Sequence, residues 1–367
     1  RAMRKLPLLA RLAGYRVAHA TGGPRQLPVN LTVSVTYSCP SRCATCDIWK
    51  KKVDDLSVDE YGRIFPTLEK VPVWVTVSGG DQFIRGDLDE IIRLIRTQIE
   101  PSIINIPMNG IITERIFQLL PKIAHHSVGA QLVLNLSVDE IGDAHDRIRG
   151  ADGNFEKLKV ASELIHDLKK TYPHIVLGVH TVISKLNVHR IPDIEREARA
   201  TFRPDSYIAE VAENRVELVT MDKDITPSVA DFRRATTHLG NVIRAHRSRH
   251  PVARLVESLR LEYYELAARI LEENRQVIEC YAGLASAHLA PDGHLWGCCV
   301  RAESMGNVRE HGYDFRAVWN GATADAFRAS VKAHECACPL ANASYTNLLL
   351  DVPSLVRVSA NMVGIGK

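Results

Sequence analysis

The chain has 367 residues, of which 46% are hydrophobic and 24% are charged, and its formal net charge is +3. These values are ordinary for a globular protein and exclude a disordered chain. The positive net charge is too small to require a DNA partner, and we expect no binding to DNA. No apolar run approaches the about 20 residues that a helix needs to span a bilayer. We therefore expect a cytoplasmic protein.

Residues 1–30 predict a basic, amphipathic arm with one apolar helical face. The members of that face are Leu6, Leu9, Leu12 and Ala13. Docking of this face against the rest of the protein is the favoured interpretation. The alternative is that this face contacts a membrane interface, in which case the protein would be peripherally associated with the membrane.

Residues 31–211 alternate short apolar runs with helix-like stretches. The runs predict six strands, at 31–37, 73–78, 102–108, 130–137, 175–183 and 205–211. Helix signals recur between them, including a capping box formed by Ser57 and Glu60. Strands that alternate with helices imply a parallel sheet with right-handed crossovers. We predict an α/β fold built on a partial (β/α)6 barrel of the TIM type, and a doubly wound open sheet is the competing architecture.

The alternation stops after the sixth strand. Residues 212–279 predict a helical insert that opens with Thr226 as N-cap and Pro227 in the first helical turn. Residues 280–367 predict a small α+β module, with two short strands joined by a Pro-Asp-Gly turn, a helix near 322–333 and an apolar tail.

The first three of the eight cysteines are crowded directly after the first predicted strand. Cys39, Cys43 and Cys46 have the spacing Cys-x3-Cys-x2-Cys, with no histidine between positions 20 and 124. Such crowding is poor for disulfide pairing and favours metal ligation in a reducing compartment. A structural zinc site would need a fourth ligand. Three thiolates can instead bind three irons of a 4Fe-4S cluster and leave the fourth iron open.

This spacing resembles the signature of the radical S-adenosylmethionine (radical SAM) superfamily. The resemblance implies that the methionine amine and carboxylate of SAM chelate the open iron and that the reduced cluster passes an electron to the sulfonium. A 5'-deoxyadenosyl radical then forms and removes a hydrogen atom from the substrate. A reducing partner such as flavodoxin or ferredoxin is implied as well.

The sequence SGGD at 78–81 stands where members of the superfamily have Gly-Gly-Glu after the second strand. Glycines there let the backbone approach the methionine amine, and the Asp is one methylene shorter than the usual Glu. Other contacts follow by position after the third and fourth strands. The candidate SAM-binding residues are Gly79, Gly80, Asp81, Asn109, Ser137, Asp139 and Arg149. The alternatives are a tight turn for the glycines, a buried hydroxyl for the serine and a solvated charge for the arginine.

Five further cysteines lie in the last quarter of the chain. The pattern Cys-x12-Gly-x4-Cys from Cys280 to Cys298 resembles the opening of SPASM and twitch auxiliary-cluster domains. The twitch form implies a second 4Fe-4S cluster held by Cys280, Cys298, Cys336 and Cys338, with Cys299 as the spare. A fully ligated cluster is left with electron transfer. Ligation by Cys299 in place of Cys298, and a structural zinc site, both stay open.

The expected function is a radical SAM oxidoreductase or transferase that acts on a small molecule or lipid, with the auxiliary cluster moving electrons in oxidation or bond formation. Peptide maturation is a secondary alternative, because residues 1–30 are too few for a separate peptide-recognition domain. Seven arginines between Arg233 and Arg260 make RNA modification another alternative, beside a solvated helix face. The last alternative is a non-catalytic protein that binds an iron-sulfur cluster or zinc. No catalytic residue can be assigned, and Glu210, at the end of strand six, is a positional guess.

Overall fold

The computed structural model describes residues 5–23 and 25–364. The helices are α1 (Lys5–Thr21), α2 (Val58–Ile64), α3 (Leu88–Leu94), α4 (Thr113–His126), α5 (Asp143–Arg149), α6 (Asn154–Thr171), α7 (Ile191–Phe202), α8 (Val229–Ala245), α9 (Pro251–Glu273), α10 (Phe315–Trp319), α11 (Ala322–Lys332), α12 (Ala341–Leu350) and α13 (Val352–Val363). The strands are β1 (Asn30–Thr36), β2 (Trp74–Gly79), β3 (Ile103–Met108), β4 (Gln131–Ser137), β5 (Ile175–Ile183), β6 (Ser206–Val211), β7 (Ser286–Leu289), β8 (His294–Trp296) and β9 (Ser304–Asn307).

The strands form one sheet in the order β6-β5-β4-β3-β2-β1-β7-β8-β9. Strands β1 to β6 are parallel, and each lies beside its neighbour in sequence. A doubly wound sheet would reverse its strand order partway along, so the sequential order favours the partial barrel. The predicted α/β fold class is confirmed, and so are the six predicted strands. Because the carboxyl ends of parallel strands meet at one edge, the loops that follow them lie close together.

Strand β1 separates an apolar outer face from a polar inner face. Leu31 and Val33 are fully buried in the main core between the sheet and the helices. Side chains alternate along a strand, so Thr32 and Ser34 point to the opposite side, where they are also buried. The interior of the barrel is therefore closed to solvent at this strand but rich in hydrogen-bonding groups.

The C-terminal part continues the barrel sheet. Strand β7 pairs in parallel with β1, with Asn30 opposite Ser286, and β8 returns antiparallel to β7 after the predicted Pro-Asp-Gly turn. Strand β9 is not anticipated from the sequence, and the predicted apolar tail consists of α12 and α13. Helix α12 packs polar groups against the inner face of β1, because Asn342 Nδ2 donates to Thr32 Oγ1 at 2.9 Å.

The segment between β6 and α8 differs from the prediction of a helix that opens at Thr226. Helix α8 begins two residues later, because the Ser228 hydroxyl, and not the side chain of Thr226, accepts the hydrogen bond of the Asp231 backbone N–H at 3.1 Å. Pro227 therefore precedes the cap instead of lying in the first turn. Residues 212–224, here named the bridging segment, are non-helical.

The predicted capping box at the start of α2 is confirmed. The Ser57 hydroxyl accepts a hydrogen bond from the Glu60 backbone, and the Glu60 carboxylate accepts one from the Ser57 backbone at 2.8 Å. The same carboxylate accepts from Arg309 Nε at 2.7 Å, and Arg309, followed by the backbone of Ser57, lowers the pKa of Glu60 to about 2. Glu60 thus ties α2 to the turn that follows β9.

Helix α1 packs against the C-terminal part. Leu8 and Leu12 contact a cluster that contains Tyr15, Tyr281 and Leu350. The side chains of Leu6 and Leu9, predicted on the same face, lie outside the described residues. Among the helices that the structure describes, none combines the length and apolar character needed to cross a bilayer.

Candidate active site between two groups of cysteines

The first group of cysteines lies in the loop after β1, at the carboxyl edge of the sheet. Backbone hydrogen bonds hold this loop against the end of α5: the Arg42 N–H donates to the Arg149 carbonyl at 3.2 Å, and the Ala44 N–H donates to the Ile148 carbonyl at 2.9 Å. All eight cysteines of the chain are free of disulfides. The loop is thus fixed by backbone contacts and leaves its thiols unpaired.

The three thiols are close enough to affect one another. Burial raises the pKa of the Cys39 thiol, and the charge of Cys43 adds to this effect. Burial raises the pKa of Cys46 to about 12, with further contributions from Cys43 and Cys39, while Arg149 acts in the opposite direction. Buried thiolates that repel one another are stabilised by a bound metal cation. This environment fits an iron-sulfur cluster.

The glycines of SGGD let the end of β2 pack onto the first cysteine loop. A Cβ atom on Gly79, whose φ is +123°, would lie 2.2 Å from the Thr36 carbonyl oxygen. A Cβ atom on Gly80 would lie 2.2 Å from the Ser38 carbonyl oxygen. Neither distance is compatible with a side chain. Backbone packing alone therefore requires both glycines, in addition to any approach to SAM.

Two buried groups of opposite charge at this loop have atoms without a partner. Asp81 is 1% exposed; its Oδ1 accepts from the Phe83 N–H at 3.0 Å, while Oδ2 has no hydrogen-bond partner. Burial raises the pKa of Asp81, and the side chain of Asn109 acts in the opposite direction. Arg149 donates from Nη1 to Asp139 Oδ2 at 2.9 Å, and its buried Nε has no partner. An unpaired carboxylate oxygen and an unpaired guanidinium N–H fit the zwitterionic methionine end of SAM.

The remaining candidate SAM contacts have structural partners of their own. Asp139 accepts from Arg149 with one oxygen and from the Val182 N–H with the other, at 2.9 Å. Asn109 Oδ1 accepts from the Ile111 N–H at 3.0 Å. Ser137 ends β4 opposite His180 in the register of the sheet. The structure thus brings Asp81, Asn109, Asp139 and Arg149 to the first cysteine loop.

The second group of cysteines comes from three separate segments. Burial raises the pKa of Cys298 to about 12, and the charges of Cys280 and Cys336 add to this effect. The pKa of Cys338 is raised by burial first, then by Glu213, Cys280 and Cys298. These four thiols are therefore close enough to influence one another, and they fit a second cluster on the same grounds as the first group.

Cys299 has different surroundings from the other four. Burial raises the pKa of its thiol; the largest further influence that raises it is Glu217, and Arg215 opposes both. The charge of Cys298 also raises its pKa, and its side chain packs in the same cluster as Cys338.

The bridging segment connects the two groups of cysteines. The Val216 N–H donates to the Val300 carbonyl at 2.9 Å, just after Cys299. On the other side, the Asp47 N–H donates to the Leu218 carbonyl at 2.8 Å, just after Cys46. Residues 212–224 thus lie between both groups and contact the loop of each.

Paired acid and base side chains lie on the bridging segment and at the ends of β5 and β6. His180 Nε2 lies 3.3 Å from Glu210 Oε1. Burial alone would lower the pKa of His180, but Glu210 outweighs it and the pKa is raised. Glu213 Oε1 accepts from Arg215 Nε at 2.9 Å, while its buried Oε2 has no partner. Burial raises the pKa of Glu213 to about 7, opposed by Arg215 and reinforced by Glu210.

A further pair joins the bridging segment to β7. His288 Nε2 is 3.2 Å from Glu217 Oε1, and burial lowers the pKa of His288, against the influence of Glu217. Of these acid and base groups, the sequence points to Glu210 alone. The signal for Glu213 and Glu217 is the charged run ENRVE directly after the last strand of a predicted barrel.

Comparison with protein families identifies two domains in the chain. The model of the radical SAM superfamily matches residues 33–198. The model of SPASM, an iron-sulfur cluster-binding domain, matches residues 280–339. The first match contains the first cysteine group, and the second contains the other five cysteines.

Curated relatives and solved structures agree with these domains. The chain is 24% identical over 297 residues to a probable GTP 3',8-cyclase of Methanococcus maripaludis, a match that covers 77% of this chain and 90% of the relative. It is similar in structure to Streptococcus suis SuiB bound to S-adenosylmethionine, with a TM-score of 0.61 and 13% identity over 83% of this chain and 68% of the other. It is also similar to anSMEcpe with bound AdoMet and a peptide, with a TM-score of 0.62 and 11% identity over 92% of this chain and 100% of the other.

The structural likenesses bear on the fold, and the family models bear on the chemistry. SAM and 4Fe-4S clusters are the cofactors that these domains use. The chain belongs to the radical SAM superfamily and is an enzyme of that superfamily whose C-terminal part is a SPASM-type auxiliary-cluster domain.

Proposed function

We propose that this enzyme oxidises or cyclises a polar small molecule bound inside the barrel, between the two groups of cysteines. The observation that carries the proposal is the set of buried acid–base pairs between those groups: His180 with Glu210, Arg215 with Glu213, and His288 with Glu217. Paired charges in a closed interior suit a substrate with hydroxyl or amino groups, since an apolar ligand would leave them without new partners.

Cys39, Cys43 and Cys46 would hold the SAM-binding cluster, and Asp81 and Arg149 would orient SAM. The unpaired Asp81 Oδ2 would accept from the methionine amine, and the unpaired Arg149 Nε would donate to the methionine carboxylate. Asn109 stabilises the charged form of Asp81, because its side chain lowers the pKa that burial raises. Gly79 and Gly80 bring the end of β2 to this position, while Asp139 fixes Arg149 and Ser137 ends β4 shortly before Asp139 in the loop.

Cys280, Cys298, Cys336 and Cys338 would hold the auxiliary cluster and ligate all of its irons. When bound, SAM and the two clusters supply hydrogen-atom abstraction and the uptake of one electron. Loss of a hydrogen atom and of an electron from a substrate carbon also requires that a proton leave the substrate. The chain itself has to accept that proton.

Glu213 is the proton acceptor that we assign. Its Oε2 is buried without a partner, and its pKa of about 7 lies near working pH, where a general base is most effective. Arg215 holds the other carboxylate oxygen and so directs Oε2. The His180–Glu210 pair would bind a substrate hydroxyl or amine from the neighbouring strands.

The curated relatives support a small-molecule substrate, whereas solved structures similar to this chain include complexes with peptides. The curated relatives that match most of this chain are named as probable GTP 3',8-cyclases, whose substrate is a small polar molecule. The inner face of β1 disfavours a lipid, because Thr32 and Ser34 carry hydroxyl groups that are hydrogen-bonded within the chain and offer little apolar surface to an alkyl chain.

The arginines of α8 and α9 do not favour RNA as the substrate. Arg233 pairs with Glu265 at 3.2 Å and with Glu272 at 2.7 Å. Arg260 is 5% exposed and donates to the Tyr207 carbonyl at 2.6 Å. Guanidinium groups that are engaged within the chain contribute little to phosphate binding.

Anaerobic turnover with deuterated metabolites tests the proposal. The enzyme, reconstituted with iron and sulfide, is incubated with dithionite, SAM and a deuterium-labelled extract divided into polar metabolites, lipids and peptides. We expect deuterium in 5'-deoxyadenosine with the polar fraction. Deuterium transfer from the lipid or peptide fraction alone would overturn the substrate class, and fully loaded protein that forms no 5'-deoxyadenosine at all would contradict radical chemistry.

Iron analysis of the same preparation tests the two-cluster assignment. Two 4Fe-4S clusters give about eight irons per chain, and the exchange of Cys336 for alanine should lower iron to about four. Four irons together with one zinc that is lost in the same variant would contradict the auxiliary cluster.

A further inference from the structure

A cluster of three possible metal ligands lies beside the auxiliary cysteines without belonging to them. Glu217, His288 and Cys299 each offer one ligand atom, and these atoms lie within 4.8 Å of one another. They are 5%, 4% and 8% exposed, respectively. They come from three different elements: the bridging segment, β7 and the loop after β8.

Neighbouring groups hold these three side chains in fixed orientations. The Ser34 hydroxyl on β1 lies 2.8 Å from His288 Nε2 and donates to Glu217 Oε1 at 3.3 Å, so it orients both groups. The ring of Trp296 lies 4.9 Å from the ring of His288 and limits its rotation. The Glu217 N–H donates to the Cys299 carbonyl at 3.3 Å, which ties the two ligand-bearing loops together. Partners of this kind fix the orientation of metal ligands.

The charges also fit a divalent ion. A thiolate, a carboxylate and a neutral imidazole together carry two negative charges, which a divalent cation neutralises. Arg215, a cationic side chain of the bridging segment, is already paired with Glu213 at 2.9 Å. Thiolate, imidazole and carboxylate are all zinc ligands, and three protein ligands leave one position open, as in catalytic zinc sites.

We propose that Glu217, His288 and Cys299 bind one zinc ion at the wall of the substrate space, with its open coordination position available to a substrate oxygen or nitrogen. Cys299 is thereby a zinc ligand and not a spare ligand of the auxiliary cluster. The proposal does not depend on the identity of the substrate.

Metal analysis of the intact, anaerobically prepared enzyme tests the site, with zinc supplied as the probe. We expect about one zinc per chain in addition to about eight irons. His288→Ala and Cys299→Ala should lose the zinc and keep the iron, whereas Cys336→Ala should lose about half of the iron and keep the zinc. His294→Ala, a histidine of the same hairpin that lies outside the cluster, should keep both metals.

X-ray absorption at the zinc edge identifies the ligands without interference from iron. We expect one sulfur at about 2.3 Å and otherwise nitrogen and oxygen at about 2.0–2.1 Å. Four sulfur ligands would mean that zinc occupies a cysteine cluster site and would overturn the proposal. Iron-replete enzyme that takes up no zinc, or zinc that survives in both His288→Ala and Cys299→Ala, would overturn it too. Failure of the two-cluster assignment would instead appear as about four irons, with any zinc in a cysteine site lost in Cys336→Ala, and is thus distinguishable.

Discussion

The Asp47 carboxylate lies 3.0 Å from the Lys223 ammonium, which joins the first cysteine loop to the far end of the bridging segment. Lys223 also donates to the Ala44 carbonyl at 3.2 Å, between Cys43 and Cys46. Burial alone would raise the pKa of Asp47, but Lys50 and Lys223 together outweigh it and the pKa is lowered. Two contacts from one lysine therefore hold the segment onto the loop that would carry the SAM-binding cluster.

The exchange Lys223→Met should loosen the bridging segment without unfolding the protein. A partly exposed ion pair contributes at most about 1 kcal/mol to stability, so the unfolding midpoint should change little. Hydrogen exchange should nevertheless become faster in peptides that cover residues 212–224. Lys52→Met, at an exposed lysine after the same loop, is the matched control and should leave exchange unchanged. Equal protection in both variants would show that backbone contacts alone hold the segment.

Gly80→Ala should disrupt the first cysteine loop. The added Cβ would meet the Ser38 carbonyl oxygen at 2.2 Å, and a backbone atom cannot move away without shifting the loop. We expect the variant to retain about four of about eight irons and to lose SAM binding. Gly23→Ala, at a glycine with no atom within 4 Å of its added Cβ, should behave like the wild type. Full iron loading of Gly80→Ala would contradict the tight packing of SGGD.

Arg149→Met should weaken the binding of SAM by about tenfold or more, because hydrogen bonds to a charged group contribute about 1.5–3 kcal/mol. Calorimetry on the cluster-loaded enzyme measures this change. Arg147→Met, at an exposed position of the same helix, serves as the control and should bind SAM normally. If Arg149→Met binds SAM as tightly as the wild type, Arg149 only supports Asp139.

Glu213→Gln should change how stability depends on pH. Burial raises the pKa of Glu213 from 4.5 to about 7, so its contribution to stability is full below 4.5 and is lost as the pH rises through about 7. The amide that replaces the carboxyl group cannot ionise, so the variant should gain about 3 kcal/mol relative to the wild type between about pH 5 and pH 8. Anaerobic thermal unfolding measures the difference, and Glu114→Gln, at an exposed carboxylate, should show no such trend.

The strands and the cysteine groups could be predicted from the sequence because their signals are local. Apolar runs between turn residues define strands, and cysteine spacing defines possible metal loops. The pairing of β7 with β1 could not be predicted, because a strand as short as Ser286–Leu289 gives no sign of its distant partner.

The buried acidic residues of the bridging segment could not be predicted from the sequence either. The bridging segment has neither helical nor strand periodicity, so Glu213 and Glu217 look like ordinary charges of a connecting loop. Their burial follows from backbone contacts with Val300 and Asp47, which lie far away in sequence. The start of α8 was misplaced for a local reason, because Thr226 and Ser228 are both good capping residues and only the geometry selects the second.

The parallel pairing of β1 with β7 has a consequence for how the protein is made. Strand β1, which leads into the first cysteine loop, lacks one of its two neighbours until the ribosome has released the chain beyond Leu289. Long-range pairing of this kind slows folding. The edge of β1 therefore stays open until β7 has been synthesised, so chaperones that shield strand edges and the machinery that delivers iron and sulfide would both meet a chain in which β1 to β6 are already present.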